Sequence, residues 1–165
     1  MNVVKPDGEP FHGVAFNLSS LGYAVSKGFH DILVPFDLHP REFAVLRAVD
    51  VLQGQTQQAL GDRLQIPRSR MVAIVDELEA RGLLERRPNP ADRRVREIHL
   101  TAAGRKALEQ AFAEAIAYER RVTEPLTDAQ QQQLLGLLDR ISANLGIGPG
   151  AHTALREKDA DDVPA

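Results

Sequence analysis

The chain has 165 residues, of which 43% are hydrophobic, and its 20 basic and 23 acidic residues leave a formal net charge of -3 at pH 7. This length and composition predict a single globular domain. Because there is no cysteine, disulfides, thiolate zinc sites and cysteine-based redox sensing are excluded. The sequence has neither a secretory signal nor a run of about 20 apolar residues that would span a bilayer, so we expect a cytoplasmic protein.

The first third of the chain predicts an irregular arm followed by two helices. Prolines and glycines interrupt residues 1–15, which we interpret as an N-terminal arm. Apolar residues at steps of three and four predict an amphipathic helix over residues 16–34, ending before Pro35. His39 and Pro40 open a second helix, since proline is tolerated at the first helical position.

A helix-turn-helix is predicted next. Thr56 is a good N-cap for a short third helix through Leu64, and Ile66 and Pro67 form the turn. The fourth helix spans about residues 68–81, with a buried stripe and a glycine after its end. Its exposed N-terminal side is predicted to present Arg68, Ser69, Arg70 and Ala73, where a recognition helix touches base edges.

Two strands, residues 83–87 and 95–100, flank a turn rich in proline and charge and predict a hairpin wing. Thr101 then caps a fifth helix of roughly 20 residues, ending near Pro125. A capping box at residues 127–130 begins a sixth helix with an apolar stripe to Leu145. Residues 146–165 are predicted to form a disordered tail.

Basic residues concentrate in the region of the helix-turn-helix and the wing. Between Arg63 and Arg96 lie nine basic and five acidic residues, a local net charge of +4, whereas the remainder has 11 basic and 18 acidic residues. A charge run alone is also typical of a solvated surface, but beside this motif it favours contact with DNA phosphates.

The strings HPREFAVLRAV and IPRSRMVAIVDELEARGLLERRPNPADRRVREIHLTAAG resemble the MarR family of transcription regulators over about residues 18–145. The most specific part is the wing pattern with Asp92, Arg94, Leu100 and Thr101. The resemblance implies a mainly α fold with a small β-hairpin wing, a winged helix-turn-helix at about residues 51–101. It also implies that one domain of six helices spans residues 16–145. The helices at about residues 16–34 and 102–145 would interleave with those of a second chain to form a dimer.

A homodimer is expected on two grounds. The family dimerises through its first, fifth and sixth helices and places two winged domains in successive major grooves of a pseudo-palindromic operator. Independently, the long flanking helices carry more apolar surface than a winged domain of about 45 residues can cover. We therefore expect a repressor on double-stranded DNA, with activation left open.

Ser69 and Arg70 are the first candidates for reading bases, and Arg68 is a candidate for phosphate, although the two arginines can exchange roles. Many relatives have a threonine near Arg70 and a basic residue near Ala73, so their operators cannot be transferred. Val72 either contacts a thymine methyl or is buried.

At the wing, Arg94 matches the family residue that enters the minor groove, and Asp92 matches the carboxylate that holds it. The alternative is a surface hairpin whose Asp–Arg pair only tightens the turn. Arg93 is grouped with them as a DNA contact, while Arg86, Arg87 and Arg96 are either phosphate contacts or solvated groups.

Ligand pockets in this family lie between the first, second and fifth helices. Here the possible lining residues are Tyr23, His30, Phe43, Arg47 and Phe112, which would suit a small aromatic carboxylate or phenol. Aromatic residues at helical spacing also occur as ordinary core residues.

Catalysis, cofactors and metals are not expected. His30, Asp31, Glu42 and Asp50 do not form a nucleophile with a base, and no phosphate-binding loop or metal-ligand spacing is present. The stronger alternative is a winged helix that binds proteins and has no operator of its own. Arginines at both the recognition helix and the wing favour DNA.

Overall fold

The computed structural model describes residues 13–147 and confirms a mainly helical winged fold with six α-helices in this part of the chain. Most of the predicted arm and nearly all of the predicted tail lie outside the described residues. Helix α1 spans Val14–Leu33, two residues longer at its start than predicted, and a one-turn 3₁₀ helix, Val34–Phe36, follows it. None of the described helices is long and apolar enough to cross a membrane.

Helix α2 spans Pro40–Val51, α3 spans Gln57–Leu64 and α4 spans Arg68–Ala80. Helices α3 and α4 form the helix-turn-helix, which follows α2 and precedes the wing. The Thr56 hydroxyl accepts a hydrogen bond from the Ala59 N–H at 3.2 Å, which confirms the predicted N-cap of α3. Gly82 has φ of 69° directly after α4, the left-handed conformation that favours glycine.

The wing is a hairpin within a three-stranded antiparallel sheet. Strand β1 is Gln55–Thr56, β2 is Leu84–Pro88 and β3 is Arg96–Leu100, in the order β1, β3, β2. The predicted strands are confirmed with a shift of one residue, and β1 was not predicted. The register pairs Leu84 with Leu100 and Pro88 with Arg96, so the loop of residues 89–95 projects from the sheet.

Two long helices complete the described chain: α5 spans Ala102–Thr123 and α6 spans Asp128–Asn144. The predicted capping box at the start of α6 is confirmed, because Thr127 and Gln130 exchange hydrogen bonds through their side chains and backbone.

One hydrophobic core joins α2, α3, α4 and the sheet with Leu33 of α1 and Leu108 and Ala111 of α5, and it positions the recognition helix. The side of α4 that faces this core consists of Met71, Ile74, Val75 and Leu78, all buried as predicted. By contrast, α6 has no buried residue in the single chain.

Candidate nucleic-acid interface

Helix α4 presents an exposed side to solvent directly opposite its buried stripe. Arg68, Ser69 and Ala73 are exposed, as the periodicity predicts. Arg70 departs from the prediction, because it is partly buried and interacts with another group in the chain. Val72 is exposed over 37% of its surface, which decides between the two alternatives given for it in favour of a position at the surface.

The wing tip holds a highly exposed arginine next to a carboxylate. The Arg94 side chain is 92% exposed, and one Asp92 carboxylate oxygen accepts both the Arg94 backbone N–H at 3.0 Å and its Nε at 3.3 Å. Arg93 is also exposed. The hydrogen bond from the Arg94 backbone, followed by the one from its side chain, lowers the pKa of Asp92 below 3.8. The carboxylate restrains the arginine beside it.

Asn89 organises the loop that carries these two residues. Its side-chain oxygen accepts the backbone N–H groups of Ala91 at 2.7 Å and Asp92 at 3.0 Å, while its amide donates to Glu97 on β3. This turn chemistry is typical of asparagine. The wing tip is thus an ordered turn with two exposed arginines.

Arg86 has a different role from the exposed arginines, and sequence reasoning missed it. Its guanidinium donates to Asp76 at 2.5 Å, to Gln57 at 2.9 Å and to Glu79, while the Glu79 carboxylate also accepts the Arg86 backbone N–H at 3.1 Å. Burial disfavours the charged form, but the two carboxylates outweigh it and raise the pKa of Arg86. Arg86 therefore joins α3, α4 and the wing. Because its guanidinium is bonded to these side chains, we assign it a structural role and not a contact with DNA phosphate.

A second ion pair holds the other end of the recognition helix. Arg81, just after α4, donates to the buried Glu42 at 3.1 Å, and Glu42 also accepts the His39 backbone N–H at 2.7 Å. Arg81 reaches the Asp37 carbonyl oxygen as well. A carboxylate 3% exposed is stable only when it is paired in this way. The orientation of α4 is thus tied to the start of α2.

Three of the five candidate ligand residues lie in one aromatic cluster. The rings of Phe43 and Phe112 stack with centroids 6.5 Å apart, and the Arg47 guanidinium lies 4.6 Å from the Phe112 centroid. Phe29, which the sequence analysis did not select, packs edge-on against Phe43 at 5.7 Å.

The other two candidates lie outside that cluster. His30 stacks on His39 with centroids 5.8 Å apart, and Tyr23 is 76% exposed on α1. Two clefts, one between α2, the sheet and α5 and one between α3 and α4, are lined by other residues. Within residues 13–147, no three histidine, aspartate or glutamate side chains gather in a way that would hold a metal ion.

Comparison with known proteins places this geometry among transcription regulators. A profile of the MarR family matches residues 36–95. A putative transcriptional regulatory protein for the hcr operon of Thauera aromatica is 31% identical over 102 residues, which cover 62% of this chain but only 61% of that relative. The regulator MhqR of Bacillus subtilis is 30% identical over 107 residues, which cover 65% of this chain and 74% of MhqR.

Solved structures agree with the sequence relatives. The transcriptional repressor CouR, bound to a 23-mer DNA duplex, is 34% identical with a TM-score of 0.70, and the match covers 79% of this chain and 92% of CouR. CouR from Rhodococcus jostii RHA1 bound to p-coumaroyl-CoA is 32% identical, with a TM-score of 0.66 and coverage of 78% and 91%. MarR from E. coli, at 23% identity and a TM-score of 0.66, shares the fold. On these matches, the chain belongs to the MarR family of winged-helix transcription regulators.

Proposed function

We propose that the protein is a dimeric, sequence-specific DNA-binding repressor that a small aromatic ligand releases from a pseudo-palindromic operator. The observation that carries the proposal is Arg94, whose side chain is 92% exposed at the wing tip and held by Asp92. An exposed guanidinium on a projecting hairpin suits a narrow A·T minor groove, where the negative potential is strongest. Binding of chromosomal DNA would make the cytoplasm the place of action.

The exposed N-terminal part of α4 supplies the second half of the proposed DNA contact. Arg68 and Ser69 are exposed at the start of the helix and provide a cation and a hydroxyl for the major groove. Asp76, further along the same side, is neutralised by Arg86 at 2.5 Å. This pairing reduces the repulsion that a carboxylate near the DNA would cause.

The exposed apolar side chains of α1 and α6 support a dimer. Leu21 on α1 is 61% exposed, and Leu135 and Leu137 on α6 are 53% and 47% exposed. Apolar surfaces of this kind are typical of interfaces. A two-fold dimer would place its recognition helices about one turn of DNA apart, roughly 10 base pairs.

The aromatic cluster supports a ligand of the phenolic or aromatic carboxylate class. Arg47 is partly exposed, stacks on Phe112 and pairs with Asp50 at 3.4 Å. A ligand carboxylate would compete with Asp50 for this guanidinium while its ring packs against Phe43 and Phe112. Because CouR has been solved with p-coumaroyl-CoA, we include this thioester among the candidate ligands.

The first experiment selects binding sites from a random DNA library with the full-length chain and then measures affinity over a range of salt concentrations. We expect enrichment of an inverted repeat. Arg94→Ala should weaken binding to that site by about 5-fold to 150-fold, which corresponds to loss of a specific contact worth about 1 to 3 kcal/mol. Arg105→Ala serves as the control and should bind normally, because Arg105 is an exposed arginine of α5 that is paired with Asp50 of α2.

The selection experiment distinguishes a sequence-specific DNA-binding repressor from a winged helix that binds proteins. Failure to enrich any sequence at any salt concentration would favour a winged helix that binds proteins. If Arg94→Ala binds as tightly as the unaltered protein, the wing has no role in DNA recognition. Addition of benzoate, p-coumarate or p-coumaroyl-CoA to the complex tests release, and Arg47→Ala should abolish the response to an acid while preserving DNA binding.

A further inference from the structure

We infer that Val72 reads a thymine methyl group in each half-site of the operator, an inference that rests on the proposed DNA-binding function. The exposed side of α4 is a stripe at steps of three and four residues, comprising Ser69, Val72, Ala73 and Asp76. Residues with this spacing lie on one face of a helix. Val72 and Ala73 occupy the middle of that face.

The chemistry at the middle of the face is apolar. Val72 is exposed over 37% of its surface, and Ala73 is exposed beside it. Neither side chain has a polar atom, so neither can exchange a hydrogen bond with a base edge. In the major groove the one methyl group that the four standard bases present is the 5-methyl group of thymine. An apolar helix face in that groove therefore favours thymine.

The surroundings of Val72 leave room for such a group. Val72 lines a cleft of about 310 Å³ between α3 and α4, together with Gln58 and Gly61 of α3. Ala73 extends only one carbon from the backbone, so it allows the helix to approach the bases closely. The charged residues that line the same cleft are Asp62 of α3 and Arg68 at the start of α4, and Asp76, further along the exposed face, is paired with Arg86.

The test removes thymine methyl groups from the DNA at one symmetric pair of positions at a time. Each thymine of the sequence selected with the full-length chain is replaced by uracil, which lacks only the 5-methyl group, in both half-sites. At one symmetric position we expect the affinity to fall about fourfold for each methyl, the factor that corresponds to about 0.8 kcal/mol for one buried methyl-sized group. The same position should be insensitive to uracil in Val72→Ala.

Val51→Ala is the matched control, because Val51 is 60% exposed at the end of α2 and undergoes the same change of side chain. It should keep the full preference for thymine over uracil, and circular dichroism should show all three proteins folded. The inference is overturned if no uracil substitution weakens binding, or if the loss is as large in Val72→Ala as in the unaltered protein. Failure to select any DNA sequence is a different result, because it removes the proposed function itself and this inference with it.

Discussion

Arg86 and Arg87 are consecutive residues of β2, yet their surroundings differ. The Arg86 side chain is 25% exposed and is bonded to Asp76, Glu79 and Gln57, whereas the Arg87 side chain is 56% exposed and is paired with Glu85. Successive side chains of a strand point to opposite sides, so one arginine faces α4 and the other does not. The local charge of the sequence is the same for both, and the strand decides their roles.

Arg86→Ala should lower the free energy of unfolding by about 2 kcal/mol, because it removes charge-assisted hydrogen bonds and leaves Asp76 and Glu79 close together without a cation. Urea denaturation measures this loss, and adding Asp76→Asn should restore part of it. Arg87→Ala, at an exposed pair, should cost less than about 1 kcal/mol. Normal stability combined with a smaller salt dependence of DNA binding would instead assign Arg86 to a phosphate.

Asp92 should titrate below 3.8 in the folded protein, because the Arg94 backbone N–H and then its guanidinium stabilise the carboxylate. A carboxyl whose folded pKa is lowered stabilises the fold above its unfolded pKa, and this contribution is lost as the pH falls through the folded pKa. Carbon-detected NMR titration of the carboxyl measures the pKa directly. Arg94→Ala should raise it only in part, since the larger cause is the backbone hydrogen bond. A pKa that is not lowered from the ordinary value of an aspartate in the unaltered protein would contradict the ordered wing tip.

At the scale of the element, the start of α5 shows how tightly the wing is joined to the long helices. The Thr101 hydroxyl accepts the Gly104 N–H at 3.0 Å and donates to the Gly82 carbonyl oxygen at 2.6 Å. Gly104 is buried, and a Cβ there would overlap the carbonyl group of Leu83. This close approach joins the chain just after α4 to the first turn of α5.

Gly104→Ala should therefore destabilise the protein by about 2 kcal/mol, although alanine favours helix, because backbone atoms must move to admit the methyl group. Thermal unfolding compares it with Ala103→Ser, an exposed change in the same turn that should stay within about 0.5 kcal/mol. Equal or higher stability of Gly104→Ala would show that the contact with Leu83 relaxes at little cost.

Helix existence, order and caps could be predicted because they depend on residues close in sequence. Thr56, Thr101 and Thr127 all accept the backbone hydrogen bonds expected of an N-cap. Strand β1 could not be predicted, since two residues have no hydrophobic period and the strand exists only because Gln55 pairs with Ile98 on β3.

At the scale of the whole molecule, α1 and α6 present apolar side chains that the single chain does not cover. Leu134, Leu135 and Leu137 of α6 are 42% to 53% exposed, and Val14 and Leu21 of α1 are more than 60% exposed. Exposing so much apolar surface to water is unfavourable, and association of two chains would relieve it. The interleaved dimer remains a prediction that solution measurements can test.

Leu135→Asp should convert the protein to a species of half the mass, because a buried unpaired charge at an interface costs several kcal/mol. Light scattering after size-exclusion chromatography measures the mass, and Gln133→Asp, an exposed polar position on the same helix, should leave it unchanged. An unaltered mass for Leu135→Asp would place any interface elsewhere.

The sequence by itself determined the winged helix-turn-helix, its six helices and its family, because hydrophobic period, capping residues and the wing motif are local signals. It also located Arg68, Ser69, Ala73, Arg93 and Arg94 on surface that the structure leaves exposed. Tertiary structure alone decided that Arg86 binds carboxylates of α4, that Arg81 pairs with buried Glu42, and that Val72 is at the surface. These three outcomes depend on which elements pack against each other, and burial and charge pairing are properties of that packing rather than of any short segment.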